Sequence, residues 1–288
     1  MKISEILAKG KVTVSCELFP PKHGDMLGDA KETVRQTARL GPSFISVTYG
    51  AGGGTGRHTA SLAEEAQNVC GVTALAHLTC VSSSRETVRG ALTEFKSRGI
   101  ENILALRGDI PPGEQFPAAG QYSHASELMR EIRDFGGFCV GGACYPEGHP
   151  ESESLQKDLD SLKIKVESGC EFLTTQMFFD NNILYGFLYR LLRAGIDVPI
   201  VAGIMPVTDA RQISRIIKLS NTALPARFRA ITDRFSDNPA AMSQAGVAYA
   251  TEQIIDLIAN GVEHIHIYTM NKPAIAGGIM GNISEIFR

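Results

Sequence analysis

Val12-Thr-Val-Ser-Cys-Glu-Leu-Phe-Pro-Pro-Lys22 is the stretch on which the fold reading turns. Its β-branched start favours an extended strand. Alternation places Val12, Val14, Cys16 and Leu18 on one face and Thr13, Ser15 and Glu17 on the other. Pro20-Pro21 has no N–H to continue a ladder, so the strand stops there. Glu17 is carried to the strand's exit above small polar groups, either as a working carboxylate or as one that simply reaches solvent.

Outward from this strand, strand and helix patterns alternate along the whole chain. Helical patterns cover Asp25–Arg39, His58–Cys70, Ser123–Phe135, Glu151–Ser168, Asn182–Ala194 and Asp209–Leu219, and Ser83-x-x-Glu86 has the form of a capping box opening another. In Glu151–Ser168, Leu155, Leu159, Leu162 and Val166 share one face. Strand patterns cover Phe44–Tyr49, Thr73–Cys80, Asn102–Arg107, Phe138–Tyr145, Phe172–Phe178, Pro199–Met205 and His264–Met270. The longest connection precedes the last strand. It predicts a local helix over Leu224–Asn238 and a second over Pro239–Asn260, and a final helix follows Pro273. No linker or low-complexity block interrupts this order. The pattern predicts an α/β chain folded as one (β/α)₈ TIM barrel, a single domain over residues 1–288. A doubly wound open sheet would want Gly-x-Gly-x-x-Gly after the first strand, where Glu-Leu-Phe-Pro-Pro stands.

In such a barrel one parity of each strand faces the helices and the other fills the interior and reaches the mouth. Polar residues gather on one parity: Ser46 and Thr48, His77 and Thr79, Thr174 and Gln176, and His264, His266 and Tyr268, with Gly141, Ala143 and Tyr145 alongside. In the fourth strand Leu104 and Leu106 are expected to face outward, leaving Arg107 and Asp109 on the inner side.

Composition narrows the function. A hydrophobic content of 43% suits a large core, and a net charge of −3 with mixed signs argues against a nucleic-acid platform. No apolar run approaches membrane-spanning length, and Met1-Lys-Ile-Ser-Glu-Ile lacks a signal-peptide core, so a cytoplasmic protein without a membrane partner is expected. The six cysteines sit mostly in apolar runs, as reduced core thiols do. Their spacing matches no zinc finger, no zincin or Gly-x-Ser-x-Gly motif is present, and no metal site is expected.

Glu17 and Asp109 are candidates for acid–base work, because a carboxyl group against apolar walls can hold a proton near neutral pH. Arg107 and Asp109 can point the same way, or form a rim salt bridge. Gly108 allows close backbone approach, and Pro111-Pro112-Gly113 fixes the loop after it. Gly50-Ala-Gly-Gly-Gly-Thr-Gly56 could cradle phosphate but lacks a P-loop ending, and it reads better as a mobile loop. His149-Pro150 opens the helix whose Asp158 and Lys165 share a face, which is also what a solvated salt-bridged face looks like. His77 is inward as a site residue or as a core histidine. These residues describe a barrel enzyme with acidic and basic groups at its mouth, and they name no substrate.

Eight ordered motifs go further. Ser15-Cys-Glu-Leu-Phe-Pro-Pro-Lys22, Phe44-Ile-Ser-Val-Thr-Tyr-Gly-Ala51, His77-Leu-Thr-Cys80, Leu104-Ala-Leu-Arg-Gly-Asp-Ile-Pro-Pro-Gly113, Tyr145-Pro-Glu-Gly-His-Pro150, Thr175-Gln-Met-Phe-Phe-Asp180, Gly203-Ile-Met-Pro206 and His266-Ile-Tyr-Thr-Met-Asn271 resemble, in register, the methylenetetrahydrofolate reductases. The resemblance implies an FAD-holding barrel that reduces 5,10-methylenetetrahydrofolate to 5-methyltetrahydrofolate, with NADH as donor, in a ping-pong reaction of one-carbon metabolism. It implies Glu17 as the general acid that opens the folate's five-membered ring. Asp109 would bind the pterin and tune the flavin, and Gln176 would bind the pterin. Thr48, His77, Arg107, Gly108, Asp109, Tyr122, Ala143, Tyr145, His149, Asp158 and Lys165 would contact FAD. Of these, Arg107, His149 and Lys165 suit its pyrophosphate and ribose. Gln212, Ile216 and Lys272 fall where the family contacts its substrates. The size resembles the bacterial catalytic form without a regulatory domain, and a homo-oligomer is expected. Three other readings stand beside this one: an aldolase, for which no strand-end Schiff-base lysine is evident, a proline-dehydrogenase-like flavoprotein, and a flavin-binding barrel subunit that takes electrons from a partner iron–sulfur protein.

The chain departs from the family at two positions. Ile216 stands where the family has an aromatic residue, and Lys272 where it has an arginine, which loses bidentate recognition of the folate glutamate. Phe228, in the long connection, is a candidate substitute ring for the nicotinamide. Offset stacking contributes roughly 0.5–1.5 kcal/mol beyond area, about tenfold in affinity at most. Ile216→Phe should therefore tighten NADH, read from the concentration dependence of flavin reduction, and leave the folate half-reaction unchanged. Tight wild-type binding that the substitution does not alter would put the nicotinamide elsewhere.

Overall fold

In the computed structural model all residues are described except 22, 50–55, 82, 111–112, 114–115, 118–119, 214–216, 218–221 and 288, with Arg57 and Gln212 described as backbone only. Eight parallel strands close into a barrel in sequential order. They are β1 (Thr13–Leu18), β2 (Phe44–Val47), β3 (Ala74–Thr79), β4 (Asn102–Leu106), β5 (Cys139–Cys144), β6 (Phe172–Thr175), β7 (Ile200–Ile204) and β8 (His264–Tyr268). The expected (β/α)₈ barrel is the fold. Glu17 on β1 lies opposite Ser46 on β2 and Tyr268 on β8, at the last rung of the β1–β8 seam.

A short helix, α1 (Ile3–Leu7), precedes the barrel, and α2 (Leu27–Ala38), α3 (Gly56–Glu64), α4 (Arg85–Ser97), α5 (Ala125–Phe135), α6 (Leu155–Glu167) and α7 (Asn181–Arg193) carry the chain back between strands. The β7–β8 connection holds α8 (Ala226–Phe235) and α9 (Pro239–Ala259), and α10 (Pro273–Asn282) follows β8. Of the helix expected over Asp209–Leu219, a 3₁₀ turn at Ala210–Gln212 is described; most of the remainder, Ile216 included, lies outside the described residues, as does most of the Gly50–Gly56 loop. No helix among the described residues is long and apolar enough to cross a membrane.

The helices form where apolar side chains recur at helical spacing and a side chain satisfies the free N–H groups of the first turn. In α4 the buried stripe is Val88, Leu92 and Phe95. Its cap is Ser84, which accepts from Thr87 N–H at 3.1 Å, one residue later than the Ser83-x-x-Glu86 reading. Ser83 is wholly buried and Ser84 carries the extended backbone that a cap needs. Ser154 caps α6 in the same way. Leu155, expected on the buried stripe of α6, is 48% exposed, because the helix begins only there and its first turn stands clear of the sheet.

Two apolar layers hold the barrel. Val14, Cys16, Leu18, Ile103, Ala105, Ile265 and Ile267 point outward into the helix layer. Phe44, Leu75, Leu104, Cys139, Phe172 and Val201 point inward and fill the lower barrel, with Leu106 packed against them. The outward placing of Leu104 and Leu106 is therefore wrong. Leucines on β4 complete an interior layer that five other strands also supply, and Arg107 and Asp109 follow the strand's end, where parity no longer directs a side chain.

Helix α1, which the sequence pattern did not reveal, stoppers this layer with Ile3, Ile6 and Leu7. Asn102 on β4 seats it: Oδ1 accepts from Ile3 N–H at 2.8 Å, and Nδ2 donates to the Met1 and Ala74 carbonyls. The lower barrel is thus filled by side chains. Phe172 has no exposed surface and no polar role. Phe172→Ala should destabilise by about 3–5 kcal/mol through lost transfer energy and a cavity, read as the urea midpoint. A loss below about 1 kcal/mol would mean that the interior layer can collapse around the gap.

Candidate active site

At the C-terminal end of the barrel the inward parity of β1, β2, β3 and β8 changes from apolar to polar. Glu17 Oε2 stands 3.6 Å from His77 Nε2 and 3.5 Å from His266 Nε2. The Glu17 side chain is 19% exposed, whereas the two histidines are 5% and 2% exposed, so only the carboxyl reaches the mouth. His77 Nε2 also lies 2.6 Å from Ser46 Oγ. The His266 ring is sandwiched in the wall, stacked 6.3 Å from Phe44 below and edge-on 5.1 Å from Tyr268 above.

The hydrogen-bond network fixes the His266 tautomer. Ser15 Oγ donates to the Ile265 carbonyl at 3.1 Å, so its oxygen is left to accept from His266 Nδ1–H at 2.8 Å. The ring's Nε2 is then a bare acceptor facing Glu17. Burial pulls the His77 imidazole down from 6.5 to about 4, against the pull of Glu17, so this ring is neutral at physiological pH. His77 therefore offers Glu17 no ion pair. Burial also raises the Tyr268 phenol, whose hydroxyl donates to the Thr175 carbonyl at 2.6 Å. Gly203 on β7 makes room for that ring: a Cβ there would sit 2.7 Å from it and 2.4 Å from the same carbonyl.

A second polar group lies along the rim formed by the ends of β4 and β5 and the start of α6. The Arg107 guanidinium grips the Glu151 carboxylate with two nitrogens, at 2.5 and 2.7 Å. That contact raises the arginine and lowers the carboxyl from their ordinary values. Glu151 N–H donates to His149 Nδ1 at 3.1 Å, and the His149 ring stands edge-on to Tyr145 at 4.6 Å. Lys165 Nζ donates to the Ala143 carbonyl at 2.7 Å, and burial pulls its ammonium below the ordinary range. Asp158 is nearly buried, which raises its carboxyl, with Lys165 opposing. Gly108 has φ +87°, and a Cβ there would meet Thr79 and Val81 at 3.2–3.3 Å. Glycine is therefore required where the chain leaves β4.

The remaining expected residues are placed as follows. Thr48 is half-buried at the end of β2, where its N–H donates to the Leu18 carbonyl and its own carbonyl accepts from Thr59. Asp109 is exposed beyond β4. Gln176, at the exit of β6, folds its side chain back so that Oε1 accepts from Met177 N–H. Lys272 is exposed, and its Nζ donates to Thr208 Oγ1 at 3.2 Å. Gln212 is described only as backbone in the 3₁₀ turn. Tyr122 is 1% exposed, with the Arg85 guanidinium 4.4 Å over its ring, in the wall beside α4. Phe228 is not free to serve as a substitute ring: it is 1% exposed and packed between Phe179 and Tyr249 at 5.1 and 4.3 Å.

The sequence reading put Ser46 and His266 on the inward polar parity and small polar groups beneath Glu17, but gave no role to Ser15, Ser46, Glu151 or His266. Inward parity beside Glu17 and His77 was the available signal for the first two and the last. Glu151 gives none, since it sits on an irregular stretch ahead of α6. No group of three or more His, Cys, Asp or Glu side chains among the described residues could hold a metal ion.

The chain is similar to known proteins over nearly its whole length. A family profile described as methylenetetrahydrofolate reductase matches residues 2–284. Methylenetetrahydrofolate reductase (NADH) 1 of Arabidopsis thaliana is 36% identical over 300 residues, which cover 99% of this chain and 50% of that protein. The chain thus spans about half the length of the plant relatives it matches. The 5,10-methylenetetrahydrofolate reductase of Escherichia coli K12 is 34% identical over 271 residues, 94% of this chain and 90% of that protein. Among solved structures, a Clostridium thermocellum protein described as binding two copies of 5-methyl-5,6,7,8-tetrahydrofolic acid superposes with a TM-score of 0.62 at 13% identity, covering 100% and 99% of the two chains. A 2,3-dimethylmalate lyase follows at a TM-score of 0.54 and 10% identity, covering 98% and 83%, and both structures attest the barrel alone. With the profile spanning nearly every residue and the bacterial relative matched over nine-tenths of its length, the chain belongs to the methylenetetrahydrofolate reductase family.

Proposed function

We propose that the chain reduces 5,10-methylenetetrahydrofolate to 5-methyltetrahydrofolate, with NADH as donor and FAD as cofactor. The observation that carries this reading is the Glu17 carboxyl, set at the mouth between the imidazoles of His77 and His266. Bound flavin would supply the redox chemistry, accepting a hydride from the nicotinamide and giving it to the substrate's one-carbon unit. The rim fits such a cofactor. Arg107, His149 and Lys165 bring basic and hydrogen-bonding side chains to one edge, as a pyrophosphate requires. Gly108 brings bare backbone up beside them.

Glu17 supplies the proton. The bridging carbon of the substrate is bonded to two nitrogens, N5 and N10. A proton delivered to N10 as its bond to that carbon breaks leaves N5 double-bonded to a cationic methylene, which a hydride then converts to the methyl group. In the neutral His266 ring the Nε2 lone pair faces Glu17 Oε2 at 3.5 Å, within reach of a carboxyl proton on that oxygen. The Ser15 hydroxyl, anchored on the Ile265 carbonyl, keeps the ring in that tautomer. After the proton leaves, the carboxylate faces solvent through the mouth and can be reprotonated. Asp109 is exposed where a pterin would enter, and its negative charge would favour loss of a hydride from a nearby reduced ring.

Two measurements test this reading. Glu17→Gln keeps the side chain's shape and loses its acid proton, so reoxidation of reduced flavin by methylenetetrahydrofolate should slow by about 10²–10⁴-fold while reduction by NADH persists. Reoxidation at the wild-type rate would remove Glu17 from the mechanism.

The second concerns His77. Its ordinary value is 6.5 and its folded value about 4, so between these the unfolded chain binds a proton that the folded chain refuses. The stability it contributes is intact above 6.5 and is lost as pH falls toward 4, by about 3 kcal/mol in all. Urea midpoints at about pH 7 and about pH 4.5 should therefore fall more steeply for wild type than for His77→Gln. Equal slopes would mean that the ring is charged, or open to water, in the folded protein.

A further inference from the structure

The stretch after β8, Thr269-Met-Asn271, is used by nothing described so far, yet it is tied directly to the strand that carries Glu17. The backbone ladder between β1 and β8 ends at Glu17 opposite Tyr268. Beyond that rung, side chains from the β8 side continue it. Thr269, 1% exposed, donates its Oγ1 hydrogen to the Glu17 carbonyl at 2.6 Å and accepts from Asn271 N–H at 3.2 Å. The Asn271 amide then pairs with Phe19 at both backbone groups: Oδ1 accepts from Phe19 N–H, and Nδ2 donates to the Phe19 carbonyl, each at 2.9 Å. Phe19 is the last residue that can be held in this way, because Pro20 and Pro21 have no N–H.

The backbone is bent to make this possible. Met270 and Asn271 have φ of 52° and 54°, the only positive values at residues other than glycine among the described residues. Left-handed conformations are unfavourable for side-chain-bearing residues and persist where the surroundings impose them. Here they turn the chain back so that the Asn271 amide reaches β1 before α10 begins.

We infer that Asn271 and Thr269 are positioning residues for Glu17. They fix the main chain on both sides of Leu18, and with it the height and direction at which the carboxyl projects between His77 and His266. The inference rests on the reading of Glu17 as the acid. Without the clamp, β1 would end in free backbone groups and two prolines, and the carboxyl would lose the sub-ångström placement that proton transfer to a bound substrate needs.

The test uses the flavin-loaded protein and its two half-reactions. Asn271→Gly removes the amide while keeping a residue at ease with positive φ. Thr269→Val removes the hydroxyl at constant shape, and Thr269→Ser retains it. Asn271→Gly and Thr269→Val should slow reoxidation by methylenetetrahydrofolate by about 10- to 100-fold, leave flavin reduction by NADH within about twofold, and shift the pH profile of the folate half-reaction. Thr269→Ser should stay near wild type. Reoxidation at the wild-type rate in the first two variants would overturn the inference. So would parallel loss of both half-reactions with Thr269→Ser no better than Thr269→Val, since that pattern marks a general structural role. A wild-type protein that methylenetetrahydrofolate cannot reoxidise would instead overturn the parent reading and take this inference with it.

Discussion

The structure depends on holding one carboxyl group at the exit of a buried strand with imidazoles, rather than an arginine or lysine, beside it among the described residues. An ionised carboxylate in such a place normally pairs with arginine or lysine, because desolvation of a lone charge is expensive. Glu17 has imidazoles instead, one neutral through burial and the other presenting a lone pair. That choice dictates much of what lies around it. Ser15 must sit two residues earlier on the same face to hold His266, and Ser46 must sit on the neighbouring strand against His77. The apolar layer of Phe44, Leu75, Leu104 and Phe172 keeps water from the undersides of these rings.

The site divides by strand. On the proposed reading the acid lies on the contiguous arc β8–β1–β2–β3, with Glu17, Ser46, His77 and His266, and the basic side chains Arg107, His149 and Lys165 lie along β4, β5 and α6. A barrel achieves this separation cheaply, since each strand end is an independent mounting point on a common rigid wall. At the rim the Arg107–Glu151 pair is exposed, whereas Asp158 and Lys165 are largely buried. The two-nitrogen grip of Arg107 on Glu151 shows a guanidinium already shaped for an anion with two oxygens, the geometry that a phosphate also offers.

Much of this was legible in the sequence, and the reasons differ by element. Polar residues at alternate positions just before a strand end, as in Ser15/Glu17 and His264/His266/Tyr268, cannot belong to a helix-facing surface, so parity alone located the acid arc. Parity failed on β4 because Leu104 and Leu106 are apolar on both readings; whether a leucine fills a barrel or meets a helix depends on neighbours that sequence does not supply. Helix α1 was missed because its five residues are too few for a periodic signal. Gln176 and Tyr122 were named by resemblance, and their present contacts, a folded-back amide and a guanidinium-covered ring, were not inferable from residue type.

The central claim is that this barrel moves a hydride from NADH to a folate with Glu17 supplying the proton. Anaerobic sequential mixing of the flavin-loaded wild-type protein tests it most directly, first with NADH and then with methylenetetrahydrofolate, followed at the flavin absorbance with the product analysed by chromatography. The expected result is bleaching by NADH, recovery on folate addition, and one 5-methyltetrahydrofolate formed per flavin reoxidised. Absence of bleaching at saturating NADH, or recovery without methylated product, would contradict the account.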